Sequence, residues 1–112
     1  MPKPELEFFD VGPLPWRPVA GWPGVYEKTL SQDEKTGDHT RLLRFEPGVV
    51  TTETLTHDFW EEVWIVQGGL IDVAKKQTFT EGMYACRPPG MKHGPYQVPI
   101  GCVTFEVRYY PK

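Results

Sequence analysis

Residues 82–97 read GMYACRPPGMKHGPYQ, and this stretch decides what kind of fold the chain can adopt. Gly82 opens a short run, Met83–Arg87, whose residues suit a pleated strand. Pro88-Pro89-Gly90 then forces a tight corner, since proline presets φ and lacks a backbone donor while glycine tolerates turns of either hand. His93–Val98 reads as the returning strand, with His93 its first inward side chain. A strand, a corner and a returning strand in so short a span describe antiparallel β structure.

The same rhythm continues outward on both sides. Strand-like runs are expected at Val25–Leu30, Thr40–Phe45, Val49–Thr56, Glu62–Gln67, Leu70–Val73, Gln77–Phe79 and Cys102–Tyr110. Between them stand the polar hairpin signal QDEKTGD at 32–38, then Glu46-Pro47-Gly48, Gly68-Gly69 and Glu81-Gly82. Twelve prolines and eleven glycines leave no interval for a long helix. Many short strands joined by such turns predict an all-β sandwich or barrel. Residues 1–23 are rich in proline and carry Trp16 and Trp22, so they read as an extended arm packed on a single domain at 24–112.

Composition narrows the function. The 112 residues suffice for one domain, and 39% hydrophobic with 24% charged residues is a globular balance. Twelve Lys/Arg against fifteen Asp/Glu give a formal charge of -3, which argues against nucleic acid as a partner. There is no apolar run long enough for a membrane helix, and MPKPELEFFDVGP has no apolar core of a secretory signal; the expectation is a cytoplasmic protein. Cys86 and Cys102 form no CxxC pair and are expected to be reduced, buried thiols.

Two segments carry a resemblance to the cupin family. Its second motif, G-x5-P-x-G-x2-H-x3-N, is matched by Gly82, Pro88, Gly90, His93 and, with Gln for Asn, Gln97. The first motif, G-x5-H-x-H-x3,4-E-x6-G, is matched by His57, Glu61 and Gly68, while Leu55 stands where the motif has its first histidine and Gly48 lies one residue too far away. A second register, Glu62 with Gly69, also satisfies the looser spacing. Glu61 is preferred because Ile65-Val66-Gln67-Gly68 followed by Leu70 and Asp72 is similar to the family's continuation. The order of motifs along nearly the whole chain resembles stand-alone cupins of the ChrR-like type, named after the metal-binding domain of an anti-sigma factor.

That resemblance implies a cupin jelly-roll β-barrel with a divalent metal inside one open end, held by His57, Glu61 and His93. Two imidazoles and a carboxylate leave positions open for water or substrate and suit Fe, Mn, Zn or Ni without choosing among them. Strand alternation would place Glu53, Leu55 and His57 on one face, making Glu53 a further candidate. Tyr96 and Gln97, just past His93, are the expected substrate-binding residues. Arg41, Arg44 and Arg108 read as members of solvated strand faces, and Arg87 as a surface or dimer-contact residue, with binding of an anionic substrate as its alternative. The expected function is a metal-dependent enzyme acting on a small organic substrate, by dioxygenase-type cleavage or a lyase or isomerase step. The alternatives are a non-catalytic metal-bearing sensor or small-molecule binding protein, and a metal-free shell. A homodimer is expected in each case, by the same resemblance.

Overall fold

A computed structural model describes residues 3–111 and is all-β. Its strands are β1 (Arg17–Pro18), β2 (Val25–Gln32), β3 (His39–Phe45), β4 (Val49–Val50), β5 (Trp60–Asp72), β6 (Gln77–Thr80), β7 (Tyr84–Arg87), β8 (Tyr96–Val98) and β9 (Cys102–Tyr109). All pairings are antiparallel. One curved layer runs β1-β2-β3-β9-β5-β7, and the other is made by β4 and β8 with β6 around the far half of β5. β5 therefore belongs to both layers and curls the sheet upon itself. Among the described residues no helix is long and apolar enough to cross a membrane.

The bend in β5 corrects one expectation. Gly68-Gly69 is expected to separate two strands, yet the chain continues through it as a single strand with a bulge between Ile65 and Gln67. Gly68 sits at φ +76°, and a Cβ there would lie 2.2 Å from the Gly101 carbonyl oxygen. Glycine is thus required by a close crossing of two backbones inside the sheet, not by a reversal of the chain.

Two other expected strands are shorter than their apolar patterns suggest. Val49–Thr56 pairs only as Val49–Val50: at the next rung the Thr51 N–H still reaches the Tyr96 carbonyl at 2.9 Å, but the Tyr96 N–H goes to the Thr51 hydroxyl at 2.8 Å, and the ladder ends there. Beyond it the chain is irregular apart from one isolated bridge, Leu55 to His93. The run His93–Val98 contracts to β8, since Gly94 (φ +78°) and the donor-less Pro95 interrupt it.

The core gathers Val25, Leu43, Phe45, Ile65, Leu70, Tyr96, Val98 and Cys102, with Val19 and Trp22 of the N-terminal segment packed against it. Trp16 lies over the cationic ends of Lys28 and Arg44. Phe8 is fully exposed. Both thiols are free; Cys102 is buried as expected, but Cys86 is exposed, because its strand position places it on the outer face of β7.

Candidate metal centre and its arginine network

Three elements bring the candidate ligands together. Glu61 lies near the start of β5, where alternation turns it inward and Glu62 outward; the Glu61 side chain is only 2% exposed. Glu62 instead accepts from the hydroxyls of Tyr84 and Tyr109 on the outer face. His57 comes from the irregular segment before β5, and its carbonyl accepts the Gly90 N–H at 2.9 Å, which ties it to the proline corner. His93 is fixed by reciprocal backbone bonds with Leu55, at 2.7 and 3.0 Å. The donor atoms of His57, Glu61 and His93 lie within 4.8 Å of one another. They line a cavity of about 340 Å³ inside the barrel.

Leu55 lines the same cavity, so the position of the motif's first histidine is apolar but correctly placed. Glu53 is not brought there. It is exposed and lies in a separate surface depression with Thr52 and Trp22, because the segment carrying it is not a strand and period-two alternation does not apply. Gln97 is likewise exposed and absent from the cavity lining, since β8 alternates Tyr96 in, Gln97 out, Val98 in. Tyr96 is buried in the cavity wall, where its hydroxyl meets His93 Nδ1 at 3.0 Å and accepts from the Arg87 guanidinium at 3.0 Å. Burial raises its hydroxyl pKa to about 12.

The arginines depart most from the sequence reading. Arg41, Arg87 and Arg108 all line the cavity. Arg87 donates to one oxygen of Glu61 at 2.9 Å and Arg108 Nε to the other at 2.7 Å. Arg108 also stands 3.7 Å from Glu106, which accepts from Arg41 Nε at 2.9 Å; Arg41 reaches outward to Glu27 at 3.0 Å. Charges of alternating sign thus run Glu27–Arg41–Glu106–Arg108–Glu61–Arg87 through the barrel wall. Arg41 and Arg108 are therefore not on solvated faces, and Arg87 is an interior residue. A sequence signal existed: β9 alternates Cys102, Thr104, Glu106 on its buried face, and Arg108 continues that parity. Apolar Val103, Phe105 and Val107 hold the other face, which drew the reading away from the charged residues.

Electrostatics follow from this network. Burial would raise the Glu61 carboxyl, but Arg108 and then Arg87 outweigh it and hold the group below its ordinary range. Burial, with Arg87 and His57 adding to it, lowers His93 to about 3, and burial lowers His57 as well. Both imidazoles are neutral at pH 7, as metal ligands must be.

The donor set fits a divalent ion. His93 Nε2 is buried without a hydrogen-bond partner, while its Nδ1 is engaged by Tyr96. A ligating histidine uses one nitrogen on the metal and hydrogen-bonds through the other, which is the arrangement Tyr96 would serve. The rings of His57 and His93 are 5.1 Å apart between centroids. Glu61 would ligate while retaining its guanidinium partners, since a carboxylate has more lone pairs than two N–H bonds consume.

Comparison with known proteins agrees with the architecture. The model of the ChrR cupin-like domain matches residues 5–110. Comparison with curated protein sequences gives no match. Among solved structures, KdgF from Halomonas sp. aligns with a TM-score of 0.76 at 20% identity, covering 96% of each chain. An acetylacetone dioxygenase from Acinetobacter johnsonii aligns at 0.76 and 14% identity, covering 95% of this chain and 75% of that one. The complex of Rhodobacter sphaeroides SigE with the anti-sigma ChrR aligns at 0.67 and 20% identity, covering 88% of this chain and 51% of that one. At such identities these structures speak to the fold alone, a cupin jelly roll. With the family model spanning nearly its whole length, the chain belongs to the ChrR cupin-like domain family.

Proposed function

We propose that this cupin holds a divalent metal ion on His57, Glu61 and His93 and acts as an enzyme on a small organic substrate. The observation that carries the reading is the buried, partnerless Nε2 of His93, a residue that lines one cavity with a second neutral imidazole and a carboxylate whose donor atoms lie within 4.8 Å of its own. A bound ion would supply Lewis acidity and open positions for a substrate oxygen or for dioxygen. The chain's own residues do the rest. Tyr96 orients His93, and Arg87 and Arg108 keep Glu61 ionised and aimed inward. Leu43, Phe45, Val63 and Leu70 surround the polar groups with an apolar wall, the usual make-up of a small-molecule site. The dioxygenase among the structural neighbours motivates oxidative cleavage as the first reaction to test, and a lyase or isomerase step as the second.

Elemental analysis of protein purified without chelator is the deciding experiment, with His93→Ala and His57→Ala beside the wild type. Near-stoichiometric metal in the wild type and its loss in both variants is the expected result. Metal that survives the two substitutions together overturns the ligand assignment. Iron would direct assays of oxygen consumption with diketones and phenolic ketones; zinc without turnover would favour a sensor or binding protein. One observation favours a metal-free shell as the second reading: both oxygens of Glu61 already accept guanidinium hydrogen bonds, so the carboxylate is satisfied by protein alone.

A further inference from the structure

We propose that the cavity selects an organic acid, whose carboxylate docks on the guanidinium of Arg108 while its apolar body lies against the hydrophobic wall. This rests on the reading above only in taking the cavity as the ligand site; it does not require a metal. Arg108 hydrogen-bonds through Nε alone among the described residues, to Glu61. Its two terminal nitrogens make no hydrogen bond, and neither is sealed from solvent, since the buried unpartnered atoms are Arg44 Nε and His93 Nε2. The guanidinium is nevertheless held in place. Its central carbon stands 4.8 Å over the ring of Phe59, and one terminal nitrogen is 3.7 Å from Glu106. A planar donor fork, stacked on a ring, anchored at one corner and open at the other, matches the geometry of a carboxylate.

The charge count agrees. The lining contains three guanidiniums, Arg41, Arg87 and Arg108, against two carboxylates, Glu61 and Glu106. The balancing acid, Glu27, sits outside the lining with its side chain 30% exposed. With Glu27 counted the network is neutral, but the cavity surface itself presents all three guanidiniums against only two of the three acids. The open terminal nitrogens of Arg108, whose side chain is 18% exposed, can reach water in the free protein; a carboxylate would replace that water with charge-assisted hydrogen bonds, whereas a neutral ligand would displace it and leave the fork unpaired. Val19, Trp22, Leu43 and Phe45 line the same space and would receive an alkyl or aromatic body.

The test is calorimetric titration of the full chain with benzoate, phenylacetate and phenylpyruvate, each acid-to-neutral comparison made with benzamide and phenylacetamide. Protein as purified and protein treated with chelator are titrated side by side, and metal content is measured separately on both. At least one acid should bind about tenfold or more tighter than the amides, in both preparations, with affinity falling as salt is raised. Arg108→Lys keeps the charge but loses the fork and should weaken the acid about tenfold, while Arg17→Gln on the exposed edge of β1 should change nothing. Thermal melts confirm that the variants are folded. Amides binding as well as acids, or full acid affinity in folded Arg108→Lys, overturns the inference. Acid binding that disappears with the metal overturns it too, and leaves the metal reading standing; acid binding in a protein that never holds metal does the reverse.

Discussion

Glu61→Gln is the perturbation on which the account of the interior can be tested most sharply. The substitution keeps the shape of the side chain and removes its charge. In the wild type Glu61 is 2% exposed and accepts Arg87 at 2.9 Å and Arg108 at 2.7 Å. The amide would leave two guanidiniums without their shared counter-charge, and would turn an NH₂ group towards one of them. Breaking a buried pair by removing one partner costs ~3–5 kcal/mol. Both arginine side chains keep some solvent contact, 16% and 18%, so water offsets part of the loss and about 2–4 kcal/mol is expected. Urea denaturation of chelator-treated protein measures this without any contribution from bound metal. The pH dependence supplies an independent check. The folded carboxyl titrates below its ordinary 4.5, so the unfolded chain takes up the proton first as pH falls. The wild type's advantage over Glu61→Gln is therefore full above about pH 4.5 and shrinks as pH drops through the lower folded value. A stability loss under about 1 kcal/mol at pH 7 with an unchanged denaturant slope, or a difference that stays constant into acid, would refute the claim that this carboxylate organises the cavity.

Three further outcomes are expected. Arg41→Met leaves Glu106, 4% exposed, without its closest cation and should cost ~3 kcal/mol in urea melts; a loss under about 1 kcal/mol would show that Arg108 takes over the pairing. His93, lowered to about 3 by burial, stays neutral in the folded chain while the unfolded one protonates near 6.5; its own contribution to stability, read as the difference between wild type and His93→Gln in parallel urea series, should fall from about pH 6.5 downward by up to about 1.4 kcal/mol per pH unit and level off near 3. Gly68→Ala should prevent native folding or lower the melting temperature severely, because its Cβ would meet the Gly101 carbonyl at 2.2 Å in a backbone of φ +76°; a normal circular dichroism melt would show that the crossing is looser than described.

Much of the site was legible in the one-dimensional pattern because cupin motifs are spacings between turns and inward residues. The distance from Gly82 through Pro88-Pro89-Gly90 to His93 is set by one strand, one corner and one return, so it survives in sequence. The placing of Glu61 inward and Glu62 outward likewise follows from parity along a regular strand. Where the backbone leaves regular structure the inference stops. Glu53 was assigned to the cavity by alternation, but residues 51–59 carry no strand, so its side chain faces solvent. Gln97 matched a motif position and still turned outward, because Tyr96 and Val98 claim the interior on either side.

The sequence by itself determined the all-β class, through its turn chemistry and local periodicity, and its motif spacings carried the resemblance that implied the family and the set His57, Glu61 and His93. The tertiary structure alone decided which carboxylate each interior arginine meets. A guanidinium is tolerated inside a barrel only where a carboxylate from another strand meets it, and the partners here lie far apart in the chain: Arg41 with Glu106, Arg108 with Glu61, Arg87 with Glu61. No local pattern records such a pairing. It is set by the register that lays β9 between β3 and β5, and by the curl that brings β7 to the other flank of β5.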